Sequence, residues 1–164
     1  NHEAMVKTEY RRALYDRMHA CGVIFMIDRN VELSREEAAI TLTGLESIRK
    51  ADYFALKQIS DAQTDFVVLL EHNPTDAKAF LQSDADLTLT GHTHGGQFRL
   101  PLIGGLYAPD QGILPEYDGG AFYDAGHMLI INRGVGNSGF PFRVGNRPEI
   151  VTVTLHRTEG GETT

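Results

Sequence analysis

Two histidines stand one residue apart in a glycine-framed segment in the middle of the chain. The segment, 91–97, reads Gly-His-Thr-His-Gly-Gly-Gln and follows a short alternating apolar run, 85–90, that predicts a strand. In an extended chain His92 and His94 point to the same face, and the glycines let the backbone turn sharply. Because imidazole binds zinc, iron and related ions, the spacing indicates a metal site. The alternative is a polar turn that happens to contain two histidines.

A third histidine follows the preceding strand. Residues 66–70 are five consecutive apolar residues, a pattern typical of a buried strand in a mostly parallel sheet. His72 comes just after this strand, where open α/β sheets place their ligands. Taken alone it would be a capped loop histidine. Because one strand–helix–strand unit separates it from segment 91–97, we expect both loops to lie at the same edge of the sheet.

The chain begins with Asn1-His2-Glu3, which is uninformative alone because chain ends are usually frayed. Together, in order, the three clusters resemble the motifs of the calcineurin-like metallophosphoesterases. The later segments 133–136, Arg-Gly-Val-Gly, and 147–150, Arg-Pro-Glu-Ile, are similar to the ending of a YkuE-like bacterial phosphohydrolase branch of that family. The resemblance extends to about Leu155.

This resemblance implies an enzyme that hydrolyses a phosphate monoester or diester with metal-activated water. Its centre would hold two divalent ions, with manganese, zinc or iron as candidates. Asn1, His72 and His92 would hold one ion, and His94 would contribute to the other. His2 would be the catalytic histidine, stabilising charge or protonating the leaving oxygen.

The chain departs from the family pattern at its start. In the family, Asp-x-His and Gly-Asp-x-x-Asp motifs precede the asparagine that is Asn1 here. We therefore expect an α/β chain that forms about half of the family's four-layer α/β/β/α sandwich. Residues 1–155 would be the C-terminal part of the domain, and 156–164 a disordered tail. Since the histidines and the amide are neutral donors, the alternative is a catalytically inactive fragment that binds metal or associates with itself.

Composition excludes several classes of function. The net charge of −7 over 164 residues argues against general nucleic-acid binding, which needs a basic surface. Cys21 is the single cysteine and excludes an internal disulfide. The sequence contains no run of about 18 apolar residues, so it predicts no membrane-spanning helix. Localisation stays open between the cytoplasm and the cell envelope.

Periodicity predicts the remaining elements. The expected helices cover 5–20, 51–62 and 75–82, and further strands cover 23–27, 128–131 and 150–155. Segments 31–33 and 38–42 are expected to pair as a hairpin, although 34–37 also fits a helix capping box.

Two segments leave alternatives open. The apolar loop 100–109 is expected to fold back over the sheet; the alternative is an exposed loop near a lipid, a membrane or a hydrophobic substrate tail. The exposed sheet is a candidate homodimer surface.

Arg133, beside Arg143 and Arg147, is a candidate ligand of the substrate phosphate, because a guanidinium matches phosphate oxygens. Equally, these arginines could pair with carboxylates.

Overall fold

The computed structural model describes residues 5–46, 59, 61–137, 139 and 141–157. Its helices are α1 (Thr8–Ala20) and α2 (Ala77–Leu81), and 3-10 turns cover Pro74–Asp76 and His94–Gly96. The strands are β1 (Arg29–Arg35), β2 (Ala38–Gly44), β3 (Val67–Leu70), β4 (Leu87–Thr90), β5 (Arg99–Leu100), β6 (Gly104–Gly105), β7 (Tyr107–Ala108), β8 (Gly112–Ile113), β9 (Gly120–Asp124) and β10 (His127–Ile131).

Six strands form one mixed sheet in the order β1-β2-β3-β4-β10-β9. The four central strands are parallel to one another, and β1 and β9 are antiparallel at the two edges. The predicted parallel centre and the predicted hairpin of β1 and β2 are therefore confirmed, and the capping-box alternative at 34–37 is wrong. The mixed α/β class is confirmed as well.

The short helix α2 packs on this sheet. Its buried residues are Ala77, Phe80 and Leu81, at positions i, i+3 and i+4, which form one face of a helix. Phe80 joins a core cluster with Leu69 of β3, while Ala77 and Leu81 join a second cluster with strand β10. The carboxyl ends of the central strands thus project from a firmly packed centre.

The other predicted helices have different outcomes. The expected helix 5–20 is confirmed as α1, which ends before Gly22, a glycine with φ of 82°. The helix expected at 75–82 is observed as a 3-10 turn followed by α2. The helix at 51–62 falls largely outside the described residues, as does the expected tail beyond residue 157.

Two strand predictions are wrong. Segments 23–27 and 150–155 are not hydrogen-bonded into the sheet, within the part of the chain that the structure describes. An apolar run becomes a strand only where a neighbouring strand offers unpaired N–H and C=O groups. Beside β10 that position belongs to β9, which the pattern did not predict. Strand β9 reaches β10 through a tight turn at Ala125 and Gly126, both with positive φ.

The apolar loop after the sequence Gly-Gly-Gln forms two ribbons of two residues per strand, β5 with β6 and β7 with β8. Its tip is exposed at Leu100, Leu102 and Ile103. Gly105 and Ala108 of the same loop are buried, so the loop is packed at some positions and exposed at others; that it folds back over the sheet stays a prediction. Among the described residues no helix is long and apolar enough to cross a membrane.

Candidate metal centre

The loops after β3 and β4 bring two histidines into contact. His72 and His92 each lie two residues beyond the end of their strand, and these strands are parallel neighbours. His72 Nε2 lies 3.1 Å from His92 Nδ1, and the ring planes meet at 73°. The N–H of Gly91 donates to the His72 carbonyl at 3.0 Å, which joins the two loops through the backbone. The prediction that both loops lie at one edge of the sheet is confirmed.

This separation suits two ligands of one metal ion. With Zn–N bonds of about 2.0–2.1 Å, two donor nitrogens lie about 3.3 Å apart in tetrahedral geometry and about 2.9 Å apart at an octahedral right angle. The observed 3.1 Å falls between these values. Two neutral imidazoles can also share one hydrogen bond at that distance, so the pair is compatible with metal-free and metal-bound protein alike.

His94, the remaining predicted ligand among the described residues, contacts a backbone carbonyl. His94 Nδ1 lies 3.2 Å from the carbonyl oxygen of Gly136. Asn1 and His2, the predicted third ligand and catalytic histidine, fall outside the described residues. Among the residues that are described, no group of three or more His, Cys, Asp or Glu side chains is arranged to hold an ion.

The backbone around His92 and His94 is unusual. His92, His94 and Gln97 have φ values of 64°, 49° and 56°, in the left-handed region that non-glycine residues rarely adopt. Such residues cluster at functional sites and persist only where their surroundings hold them. Here the turn must therefore be fixed by other contacts.

Buried polar groups supply those contacts. Thr93 is fully buried, and its hydroxyl donates to the Asp118 carbonyl at 2.8 Å. Asn146 donates its side-chain N–H to the His94 carbonyl at 2.6 Å, and Arg99 donates to the Gly95 carbonyl at 3.0 Å. These bonds tie the turn to three other parts of the chain, so its conformation is imposed by the tertiary structure.

Arg99 is itself held by a carboxylate. Its Nη1 lies 2.9 Å from Asp118 Oδ2, and both side chains are mostly buried. The same carboxylate accepts a short hydrogen bond from the N–H of Gly105. Gly105 also packs so closely on Gly96 that a Cβ there would come within 2.9 Å of the Gly96 Cα. The ribbon of β5 and β6 therefore packs directly against the histidine turn.

An acidic residue, Glu71, lies beside the histidine pair. It is only 6% exposed and accepts a hydrogen bond from the N–H of Asn73 at 3.1 Å. Burial raises the pKa of Glu71 to about 7, and the backbone N–H groups of Asn73 and His72 offset only part of this. Glu71 and His72 line a cavity of about 380 Å³ that also reaches Asn132.

The candidate arginine is engaged with a carboxylate. Arg133 Nε and Nη2 donate to the two carboxylate oxygens of Glu149 at 3.1 and 2.8 Å. These hydrogen bonds lower the pKa of Glu149. Arg143 donates to the Arg133 carbonyl at 2.8 Å. The arrangement matches the alternative stated above, pairing with carboxylates; substrate binding by Arg133 stays a prediction.

Asp110 lies beside the histidine pair, although its sequence context did not mark it as a site residue. Its Oδ2 lies 3.2 Å from His92 Nε2 and accepts a hydrogen bond from Asn73 Nδ2 at 2.9 Å. Asp110 stands in the turn between β7 and β8, with φ of 63°. The sequence Pro-Asp-Gln-Gly at 109–112 signals such a turn, but nothing local shows which loop it faces.

Several curated proteins are similar to this chain, although no family model and no solved structure matches it. The metallophosphoesterase YkuE of Bacillus subtilis is 36% identical over 103 residues, 63% of this chain and 35% of that protein. The phosphodiesterase YaeI of Escherichia coli is 28% identical over 155 residues, 94% of this chain and 56% of that protein. A transmembrane protein with a metallophosphoesterase domain from Danio rerio is 36% identical over 86% of this chain and 34% of its own length.

The chain spans between about a third and just over half of the length of these relatives. Their names agree with one another and with the resemblance of the histidine motifs. The chain belongs to the calcineurin-like metallophosphoesterase family.

Proposed function

We propose that this chain forms part of the active centre of a metal-dependent phosphoesterase, which hydrolyses a phosphate monoester or diester. The observation that supports this most directly is the pair of imidazole nitrogens, His72 Nε2 and His92 Nδ1, 3.1 Å apart at the ends of neighbouring parallel strands. Divalent ions at such a centre supply a Lewis acid and an activated water for attack on phosphorus. Manganese, zinc and iron are the candidates for a centre of two ions.

Each residue then has a proposed role. His72 and His92, with Asn1, hold one ion, and His94 contributes to the other. His2 acts on the leaving oxygen, which an imidazole can protonate near neutral pH. In this proposal the described sheet is about half of the family's sandwich, with the histidine loops at its inner edge.

The preformed turn supports this assignment. Groups that are held in place before substrate binds stabilise the transition state most effectively, because they need no rearrangement during the reaction. His92 and His94 sit in strained backbone conformations, and buried Thr93 and Asn146 hold that backbone. A merely polar surface turn has no need of this bracing.

The test is metal content combined with activity. The 164-residue chain should contain zinc or manganese by elemental analysis after purification and dialysis. His92→Ala and His72→Ala should each lower that content. His19→Ala, which removes an exposed histidine from α1, should leave it unchanged.

Activity is measured as hydrolysis of bis(p-nitrophenyl) phosphate, and variants are compared in a preparation whose wild type hydrolyses this substrate. His92→Ala should reduce the rate by at least about 100-fold, because several kcal/mol of charge stabilisation depends on the ion. Unchanged metal content in both His92→Ala and His94→Ala would show that the site is assigned wrongly.

A second candidate function is self-association without catalysis, and the surface of α1 favours it. No residue of α1 is buried, and Tyr10, Leu14 and Met18 form an exposed apolar stripe at helical spacing. Sedimentation velocity distinguishes the two: a dimer without bound metal or activity would favour this candidate over the phosphoesterase.

A further inference from the structure

We infer that Asp110 is a positioning residue: it orients His92 so that Nδ1, and not Nε2, faces the metal. This inference rests on the proposed function, since it concerns the same centre. It assigns a role to a residue outside the histidine motifs, on the ribbon formed by β7 and β8.

The geometry around His92 determines which nitrogen is available. Nε2 lies 3.2 Å from Asp110 Oδ2, and Nδ1 lies 3.1 Å from His72 Nε2. A carboxylate only accepts hydrogen bonds, so the proton of a neutral His92 belongs on Nε2. The lone pair is then on Nδ1, the nitrogen that faces His72. Metal-binding histidines commonly donate their second ring N–H to a carboxylate in this way.

Asp110 is placed by more than its own side chain. Its Oδ2 also accepts from Asn73 Nδ2 at 2.9 Å, and Asn73 Oδ1 in turn accepts from the N–H of Thr75. The carboxylate therefore links the loop after β3, through Asn73, to the loop after β4, through His92. Asp110 Oδ2 therefore contacts both histidine loops from the ribbon of β7 and β8.

The ribbon that presents Asp110 is anchored on both sides. Ala108, at the end of β7, is fully buried, and β7 lies against the turn that contains His94. The side-chain amide of Gln111 donates to the Tyr117 carbonyl at 2.8 Å and accepts from the Tyr117 N–H at 3.0 Å. Although the Asp110 side chain is 55% exposed, its backbone position is set by buried and hydrogen-bonded neighbours.

A competing explanation is a surface ion pair in which His92 is doubly protonated. In that state both ring nitrogens donate, and neither can bind a metal. The His92 side chain is 9% exposed and its Nδ1 faces another imidazole instead of solvent. The two explanations differ in what happens to metal affinity when the carboxylate is removed.

The test compares zinc affinity in Asp110→Ala, Asp110→Asn and wild-type chains, by competition with a fluorescent zinc chelator. Asp110→Ala should weaken zinc binding by about 10- to 100-fold, the usual effect of losing such a partner. Asp110→Asn keeps an acceptor without charge and should fall between the two. Asp124→Asn, which neutralises an exposed carboxylate at the end of β9, is the matched control and should bind zinc as the wild type does.

A second measurement separates positioning from folding. In ¹⁵N-labelled zinc-loaded protein, the His92 Nε2–H proton should be observable and protected from exchange in the wild type and in Asp124→Asn. It should be lost in Asp110→Ala, while the urea midpoint of the metal-free chain stays close to wild type. Equal zinc affinity in wild type and Asp110→Ala would overturn the inference. Absence of zinc binding from the wild type would instead overturn the proposed function, and the role of Asp110 with it.

Discussion

Replacing Glu71 by glutamine should change how stability depends on pH. In the folded chain burial raises the pKa of Glu71 from 4.5 to about 7. Between these values the folded state binds more protons than the unfolded state, so stability falls as pH rises from about 4.5 to 7 and stays low above that. Glutamine has nearly the same shape but no charge, and therefore lacks this loss.

The magnitude follows from the shift in pKa. Each tenfold change in proton affinity corresponds to about 1.4 kcal/mol, so Glu71 costs the wild type about 3 kcal/mol at pH 8 relative to pH 4. This is a large fraction of the 5–15 kcal/mol that stabilises a typical domain. The unfolding free energy of Glu71→Gln relative to that of the wild type should therefore be about 3 kcal/mol more favourable at pH 8 than at pH 4.

The assay is urea unfolding followed by circular dichroism at several pH values between 4 and 8, with a chelator present so that no metal contributes. Glu32→Gln, which changes an exposed carboxylate on β1, serves as the control and should run parallel to the wild type. Parallel curves for wild type and Glu71→Gln would refute the reasoning, since they would mean that the Glu71 carboxylate is hydrated in the folded chain.

Three further predictions concern the scaffold. Leu69→Ala should cost about 2–5 kcal/mol of unfolding free energy, because Leu69 is fully buried in the core; a urea series that shows a loss below about 1 kcal/mol would contradict this. Gly145→Ala should destabilise by at least about 1 kcal/mol in thermal unfolding, because Gly145 has φ of 62° and a Cβ there would collide with the Arg99 carbonyl oxygen. Glu149→Gln should be less sensitive to acid than the wild type: hydrogen bonds from Arg133 lower the pKa of Glu149, so its stabilisation exists above about pH 4.5 and disappears as pH falls through the lowered pKa. An acid titration that is identical for both proteins would contradict that assignment.

The convergence of the histidine loops could be predicted because it depends only on local order. Apolar runs at 66–70 and 85–90 predict neighbouring strands, and a strand–helix–strand connection makes them parallel. Residues at equal distances from the strand ends then meet, as His72 and His92 do. Strand periodicity is a property of the segment itself, so the sequence contains it.

Other parts of the fold depend on partners that the segment does not specify. Segments 23–27 and 150–155 have the composition of strands but are not paired with a strand among the described residues. Strand β9 has only five residues and gains its place from the turn at Ala125-Gly126. Pairing is a tertiary event, so periodicity predicts which segments could form strands but not which edges they occupy.

The candidate site depends both on the buried core of the sheet and on a contact from the ribbon of β7 and β8. Substitutions can therefore test these two contributions separately. The core, through residues such as Leu69, fixes the strand ends, and with them the positions of His72 and His92. In our inference the orientation of the His92 ring depends instead on Asp110, whose side chain is 55% exposed. Changes in the core should therefore alter stability and metal binding together, whereas changes at Asp110 should alter metal binding alone. Related chains that differ in the ribbon of β7 and β8 could then differ in metal affinity while keeping the same sheet and the same histidines.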